Sequence, residues 1–124
     1  MPITDLLEED EIIEGDWAVH VVFPFHREEF YSGELFMTNK HFHFNSKYGF
    51  GKEKHEIEEH FRVVDHDKHI VIEYDQIKNI EIKKTAILMN NLVVTLNSGE
   101  EVTFRFGFMS ANKALEVAQK HLNN

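Results

Sequence analysis

Residues 38–46 read Thr-Asn-Lys-His-Phe-His-Phe-Asn-Ser, and His41 and His43 are the side chains whose type and spacing best suit chemistry. On a strand, residues two apart project from one face with Cα atoms ~6.6 Å apart. That spacing suits two imidazoles on one metal ion. A third donor from elsewhere, His20 for instance, would complete a metal-dependent β-barrel enzyme. The cupin pattern is the relevant comparison, with a glycine six positions before the first histidine and a glutamate four or five after the second. Here Leu35, Lys47 and Tyr48 hold those places, so a cation replaces the required carboxylate. Phe42 and Phe44 alternate with the histidines. The simpler expectation puts the phenylalanines in the core and both histidines in water, with no metal and no cofactor. The metal enzyme using His41 and His43 stands as the alternative.

Other chemical signals are weaker. His55 and His60 flank Glu-Ile-Glu-Glu, but five positions on a helix separate two side chains by roughly 140°, so they do not form a zinc-protease pair. Asp65-His66-Asp67-Lys68-His69 reads as a polar turn. The chain has no cysteine and no Gly-x-Ser-x-Gly elbow, so no nucleophile is expected and no catalytic residue is assigned. Gly49-Phe50-Gly51-Lys52 is too short for a phosphate loop and lacks the following Ser or Thr. The 11 phenylalanines fall mostly at alternating positions and read as core. A small apolar ligand inside a barrel of this size is disfavoured, because side chains fill such interiors.

Charge narrows the partners. The net charge is −9, yet residues 1–16 hold seven of the 22 acids and no Lys or Arg, so the remainder is nearly balanced. This segment reads as solvated. Nucleic acid is excluded as a partner, since phosphate binding needs a basic surface. A modest basic group remains: Lys47, Lys52 and Lys54 in the connection after the third strand, His26 and Arg27 after the first. In an up-and-down order those loops open at the same end and could meet an acidic peptide or a lipid head group. Glu53, Glu56, Glu58 and Glu59 offset their charge. No apolar run approaches the ~18 residues of a membrane span, and no leader pattern opens the chain. The expected location is the cytoplasm, with peripheral membrane contact as a variant.

Period-two patterns position these residues. Strands are predicted at 17–23, 30–38, 41–45, 70–74, 80–83, 92–96 and 102–108. Asn39-Lys40, Asn90-Asn91 and Asn97-Ser98-Gly99-Glu100 mark turns. Residues 47–68 form a long polar connection. Ser110 caps a helix reaching residue 122, with Ala111, Ala114, Leu115, Ala118 and Leu122 on one face. Residues 4–13 could form a short helix, or 11–14 could begin the first strand. The expected fold is mainly β: seven antiparallel strands in a partly open barrel plugged by the carboxyl-terminal helix, one domain over residues 1–124.

Three stretches together resemble the GRAM domain family, a branch of the pleckstrin-homology-like (PH-like) superfold. They are Gly33–Ser46, Ile70–Ile80 with Tyr74-Asp75-Gln76-Ile77, and Gly99–Phe108 with Phe104 and Phe106. The resemblance spans most of residues 8–122. It implies a PH-like partial barrel with a capping helix and a non-catalytic module that binds phosphoinositides or proteins. The loop after the first strand holds Arg27 followed by Glu28 and Glu29, not a basic cluster. That ranks a protein partner, taken at an exposed edge strand, ahead of anionic lipid head groups.

Overall fold

The computed structural model describes residues 5–25, 29–64, 68–85 and 87–122. The strands are β1 (Ile13–Val22), β2 (Tyr31–Thr38), β3 (His41–Ser46), β4 (Arg62–Val64), β5 (His69–Glu73), β6 (Ile77–Lys84), β7 (Asn90–Leu96) and β8 (Glu101–Gly107). The helices are α1 (Lys54–Glu58) and α2 (Asn112–Leu122). All pairings are antiparallel, in the order β4-β5-β3-β2-β1-β8-β7-β6. The sequence predicts seven strands, and eight are present among the described residues. The addition is β4, whose three residues are too few to show an alternating pattern. With α1, it gives structure to the connection predicted as a plain polar loop.

The sheet curls round its own core. Phe42 and Phe44 lie on β3 and Phe104 on β8, three places away in the sheet, yet their ring centroids are 6.1 and 6.3 Å apart. Phe23, Phe42, Phe44, Phe50 and Phe104 are fully buried with Leu35, Ile70, Ile72 and Leu92. Side chains fill this interior, as apolar burial favours.

Helix α2 closes the fold with Ala114, Val117 and Ala118 buried against the sheet and Leu115 and Leu122 partly so. Its start is held by Ser110, whose Oγ accepts from the Asn112 N–H at 3.2 Å. Near its end Lys120 and His121 both bond the Glu14 carboxylate on β1.

Two turns differ from expectation. Asn90 and Asn91 begin β7 and do not form a turn. The reversal lies at 85–89, where the Thr85 N–H bonds the Met89 carbonyl at 3.0 Å and Leu88 takes φ +64°. The Asn97–Glu100 hairpin is as predicted, with Gly99 at φ +95°.

The choice at the amino end is settled. Strand β1 begins at Ile13, and residues 10–12 are stapled to the β2–β3 turn. The Asn39 N–H bonds the Ile12 carbonyl at 3.2 Å, and the Asn39 amide accepts from Ile12 N–H at 2.7 Å and donates to the Asp10 carbonyl at 3.1 Å.

Candidate functional site

Strand β3 sits between β2 and β5 and is covered on both faces. Its inner face carries Phe42 and Phe44, as predicted. Its outer face carries His41 and His43, which are 5% and 1% exposed, so the expectation that they face water is wrong. The physical reason is the amino-terminal segment. It delivers Glu11 onto that face, and the Glu11 side chain is wholly buried.

Glu11 organises a polar cluster. Its Oε2 lies 2.8 Å from His41 Nδ1 and 2.7 Å from His43 Nε2, and it also accepts from the Thr38 hydroxyl. Its Oε1 accepts from the Glu8 N–H at 3.1 Å. The histidines continue outward. His41 Nε2 meets a Glu73 carboxylate oxygen at 2.8 Å. His43 Nδ1 meets His69 Nε2 at 2.8 Å, and His69 Nδ1 meets the Asn45 amide at 3.0 Å. His69, predicted in a polar turn, is fully buried on β5; residues 65–67 of that stretch lie outside the described residues.

Burial alone would raise the Glu11 pKa. Bonds from Thr38, His43, the Glu8 backbone and His41 outweigh it and hold the carboxyl down at about 2. Burial pushes the His43 imidazole below its ordinary range, against the pull of Glu11. A buried carboxylate thus stands among imidazole donors. Glu11, His41 and His43 each offer a ligand atom within 4.8 Å of the others. His20, considered as the third donor, bonds the Ser32 hydroxyl at 2.9 Å elsewhere on the sheet and takes no part. Glu11 escapes a sequence reading because it is one of seven acids in the first 16 residues and 30 positions from His41.

The basic group predicted around the long loop is less concentrated. Lys47 is exposed, its ammonium 5.7 Å from the exposed Tyr48 ring. Lys54 lies on α1 and pairs with Glu58 at 3.4 Å. His26, Arg27 and the Lys52 side chain lie outside the described residues. The register pairs Val21 with Tyr31 and Gly33 with Ser46, so the loops after β1 and β3 leave the sheet at one end.

The opposite ends of the later strands carry a feature the sequence reading missed. Ile87 and Leu88 at the tip of the β6–β7 turn are 70% and 69% exposed, and Phe108 and Met109 just past β8 are 79% and 40% exposed. These segments adjoin: the Asn90 amide donates to the Met109 carbonyl at 2.9 Å. Exposed Lys83, Lys84 and Arg105 flank them. A shallow cleft runs between Thr85, Ile87, Met89, Asn91 and Arg105. The signal was present in Ala86–Met89 and Phe108-Met109, but alternation assigns apolar residues to a core by default.

A curled antiparallel sheet closed by a carboxyl-terminal helix defines the PH-like class. The GRAM domain family model matches residues 2–124, and the chain belongs to that family. Among solved structures, it is similar to the C-terminal domain of an unknown protein from Leishmania infantum. The TM-score is 0.68 at 19% identity, over 98% of this chain and 92% of that one. It is also similar to the Vps36 N-terminal PH domain, with TM-score 0.67 at 12% identity over 95% of this chain and 83% of that one. At these identities the likeness is one of fold. No curated protein sequence matches the chain. Among the described residues, no helix is long and apolar enough to cross a membrane.

Proposed function

We propose that this GRAM domain is a non-catalytic docking module that seats on an anionic membrane surface through its apolar tip. The observation that carries this reading is the grouping of exposed Ile87, Leu88, Phe108 and Met109 with Lys83, Lys84 and Arg105 beside them. Apolar groups projecting from a turn lose unfavourable contact with water by entering the acyl boundary, while flanking cations meet anionic head groups. Lys83 shares its charge with Glu81 at 3.5 Å, so Lys84 and Arg105 supply the positive charge beside the tip on a chain of net charge −9, which favours approach by the tip and not the body.

This reverses the order of partners expected from sequence. A peptide added at a sheet edge has poor seats: β4 is three residues long, and β6 exposes Lys78, Asn79, Glu81, Lys83 and Lys84. Charged edges disfavour strand addition. A peripheral membrane location follows from this reading.

Co-sedimentation with phosphatidylcholine vesicles, with and without phosphatidylserine, at low and moderate salt tests it. Binding to the anionic vesicles should weaken with salt and be lost in an Ile87→Ser/Phe108→Ser variant. A Lys47→Ala/Lys52→Ala/Lys54→Ala variant should keep it. Loss only in the lysine variant would return the site to the long loop. No sedimentation at low salt would remove the membrane reading.

A further inference from the structure

We infer that Glu11, His41 and His43 form a site for one divalent transition-metal ion of the zinc class, acting as a structural clamp between the amino-terminal segment and β3. This inference is independent of the membrane reading.

The donor set is two imidazole nitrogens and a carboxylate. Such a set selects zinc, cobalt or nickel over calcium and magnesium, which take oxygen cages. Tetrahedral zinc with bonds of ~2.0 Å places its ligand atoms about 3.3 Å apart. The Glu11 Oε2 to nitrogen distances are 2.8 and 2.7 Å. The three ligand atoms lie within 4.8 Å of one another, so a coordination geometry is reached when the carboxylate moves out by about half an ångström and the two imidazoles settle to about 3.3 Å apart. The Thr38 hydroxyl donates to the same oxygen.

The outer partners of both histidines are in place. A ligating histidine almost always gives its second ring nitrogen to a carboxylate or another acceptor, which fixes its orientation. His41 Nε2 has Glu73 at 2.8 Å, and His43 Nδ1 has His69 at 2.8 Å.

At His43 and His69 the protons balance. With the Asn45 amide donating to His69 Nδ1, His69 carries its proton on Nε2, gives it to His43 Nδ1, and His43 donates from Nε2 to Glu11. Rotating the Asn45 amide by 180° reverses the relay. His69 then donates from Nδ1 to the amide oxygen, His43 donates from Nδ1 to His69, and His43 Nε2 is free for the ion. The two histidines hold two protons before and after. At His41 the ion takes Nδ1, so the proton that Nδ1 gives to Glu11 leaves as the ion binds, while the Nε2 proton toward Glu73 stays. The ion enters with the loss of that one proton and none from the His43–His69 relay.

The donors are buried, with Glu11, His41 and His43 at 7%, 5% and 1% exposure. The three donors leave a fourth position for water, and their burial keeps substrate from it. The metal enzyme is therefore not what the geometry supports.

The test is a titration of the tag-free full chain with cobalt(II), followed by the visible ligand-field bands of the bound ion and by competition with zinc. One equivalent should bind. His43→Ala should weaken it at least 100-fold, and His69→Ala, removing only an outer partner, by about 10- to 100-fold. His20→Ala should change nothing. Circular dichroism checks that each variant is folded. If the His43 variant does not fold, proton NMR of the wild-type cobalt form decides alone: the metal-shifted ring signals should assign to His41 and His43 among the nine histidines. Absence of bands at millimolar cobalt overturns the site. So do bands that persist in a folded His41→Ala/His43→Ala variant, or shifted signals from other histidines.

Discussion

His43 Nε2 lies 2.7 Å from a carboxylate oxygen of Glu11, 32 residues earlier in the chain, and both side chains are out of water. The contact joins the segment before β1 to a central strand. It also explains how β3 can bury four consecutive side chains. One face meets the core, and the other meets a polar cover whose groups satisfy one another.

Replacing the centre of that cover should be costly. Glu11→Ala leaves the Thr38 hydroxyl and two imidazoles without their shared acceptor. Breaking a buried charged network by removing one partner costs about 3–5 kcal/mol. Urea denaturation should show a loss of that size, against a change within about 0.5 kcal/mol for Glu9→Ala at an exposed position of the same segment. Equal effects would mean that the cluster is not a stabilising element.

The same cluster fixes the sign of an acid effect. Burial holds the folded His43 pKa below its ordinary 6.5, so below that pH the unfolded chain binds the proton first. Stability then falls as pH drops through 6.5. The Glu11 contribution is present above its ordinary 4.5 and is lost only as pH falls toward about 2, so it does not account for a change near pH 6. Urea midpoints at pH 8, 7, 6 and 5 should decline below pH 6.5, and His43→Gln should flatten that decline. A wild-type midpoint that rises on acidification would mean that the folded state charges His43.

Gly33 on β2 faces Ser46 on β3, and a Cβ there would lie 2.1 Å from the Asn45 carbonyl oxygen. That neighbour is backbone and cannot turn aside. Gly33→Ala should force β2 and β3 apart and lower stability by about 2 kcal/mol or more. Gly99→Ala meets no atom within 4 Å but holds φ +95°, so its cost is backbone strain of about 1–2 kcal/mol. Thermal denaturation should rank Gly33→Ala as the worse of the two.

Much of the fold was legible because alternation survives wherever one strand face meets water. On β8, Val102, Phe104 and Phe106 point inward between Glu101, Thr103 and Arg105. The Asn39, Gly99 and Ser110 signals likewise act on the backbone beside them. The misreadings share one cause. A strand covered on both faces no longer alternates in burial, so His41 and His43 looked solvated. The cover comes from Glu11 through long-range contacts that no local pattern records. Strand β4 is too short for a period, and its partner β5 supplies the reason for its conformation. Ile87 and Phe108 were legible as apolar but not as exposed, since hydropathy does not tell which side of a turn faces solvent.

Leu88 separates folding from docking at the tip. It holds φ +64° while its side chain is 69% exposed. A left-handed leucine costs about 1–2 kcal/mol relative to the right-handed region, and its exposed side chain returns little of this within the fold. Glycine adopts that φ freely but loses about 0.5–1 kcal/mol more chain entropy on folding. Leu88→Gly should therefore leave stability unchanged or raise it by up to about 1 kcal/mol. Burying a leucine side chain contributes about 1.5–3 kcal/mol, so vesicle partitioning should weaken by about tenfold or more. Denaturation and vesicle binding of the one variant then move independently. A variant that binds vesicles as tightly as wild type would show that Leu88 does not enter the membrane. A variant that unfolds would show that the turn needs the leucine for packing.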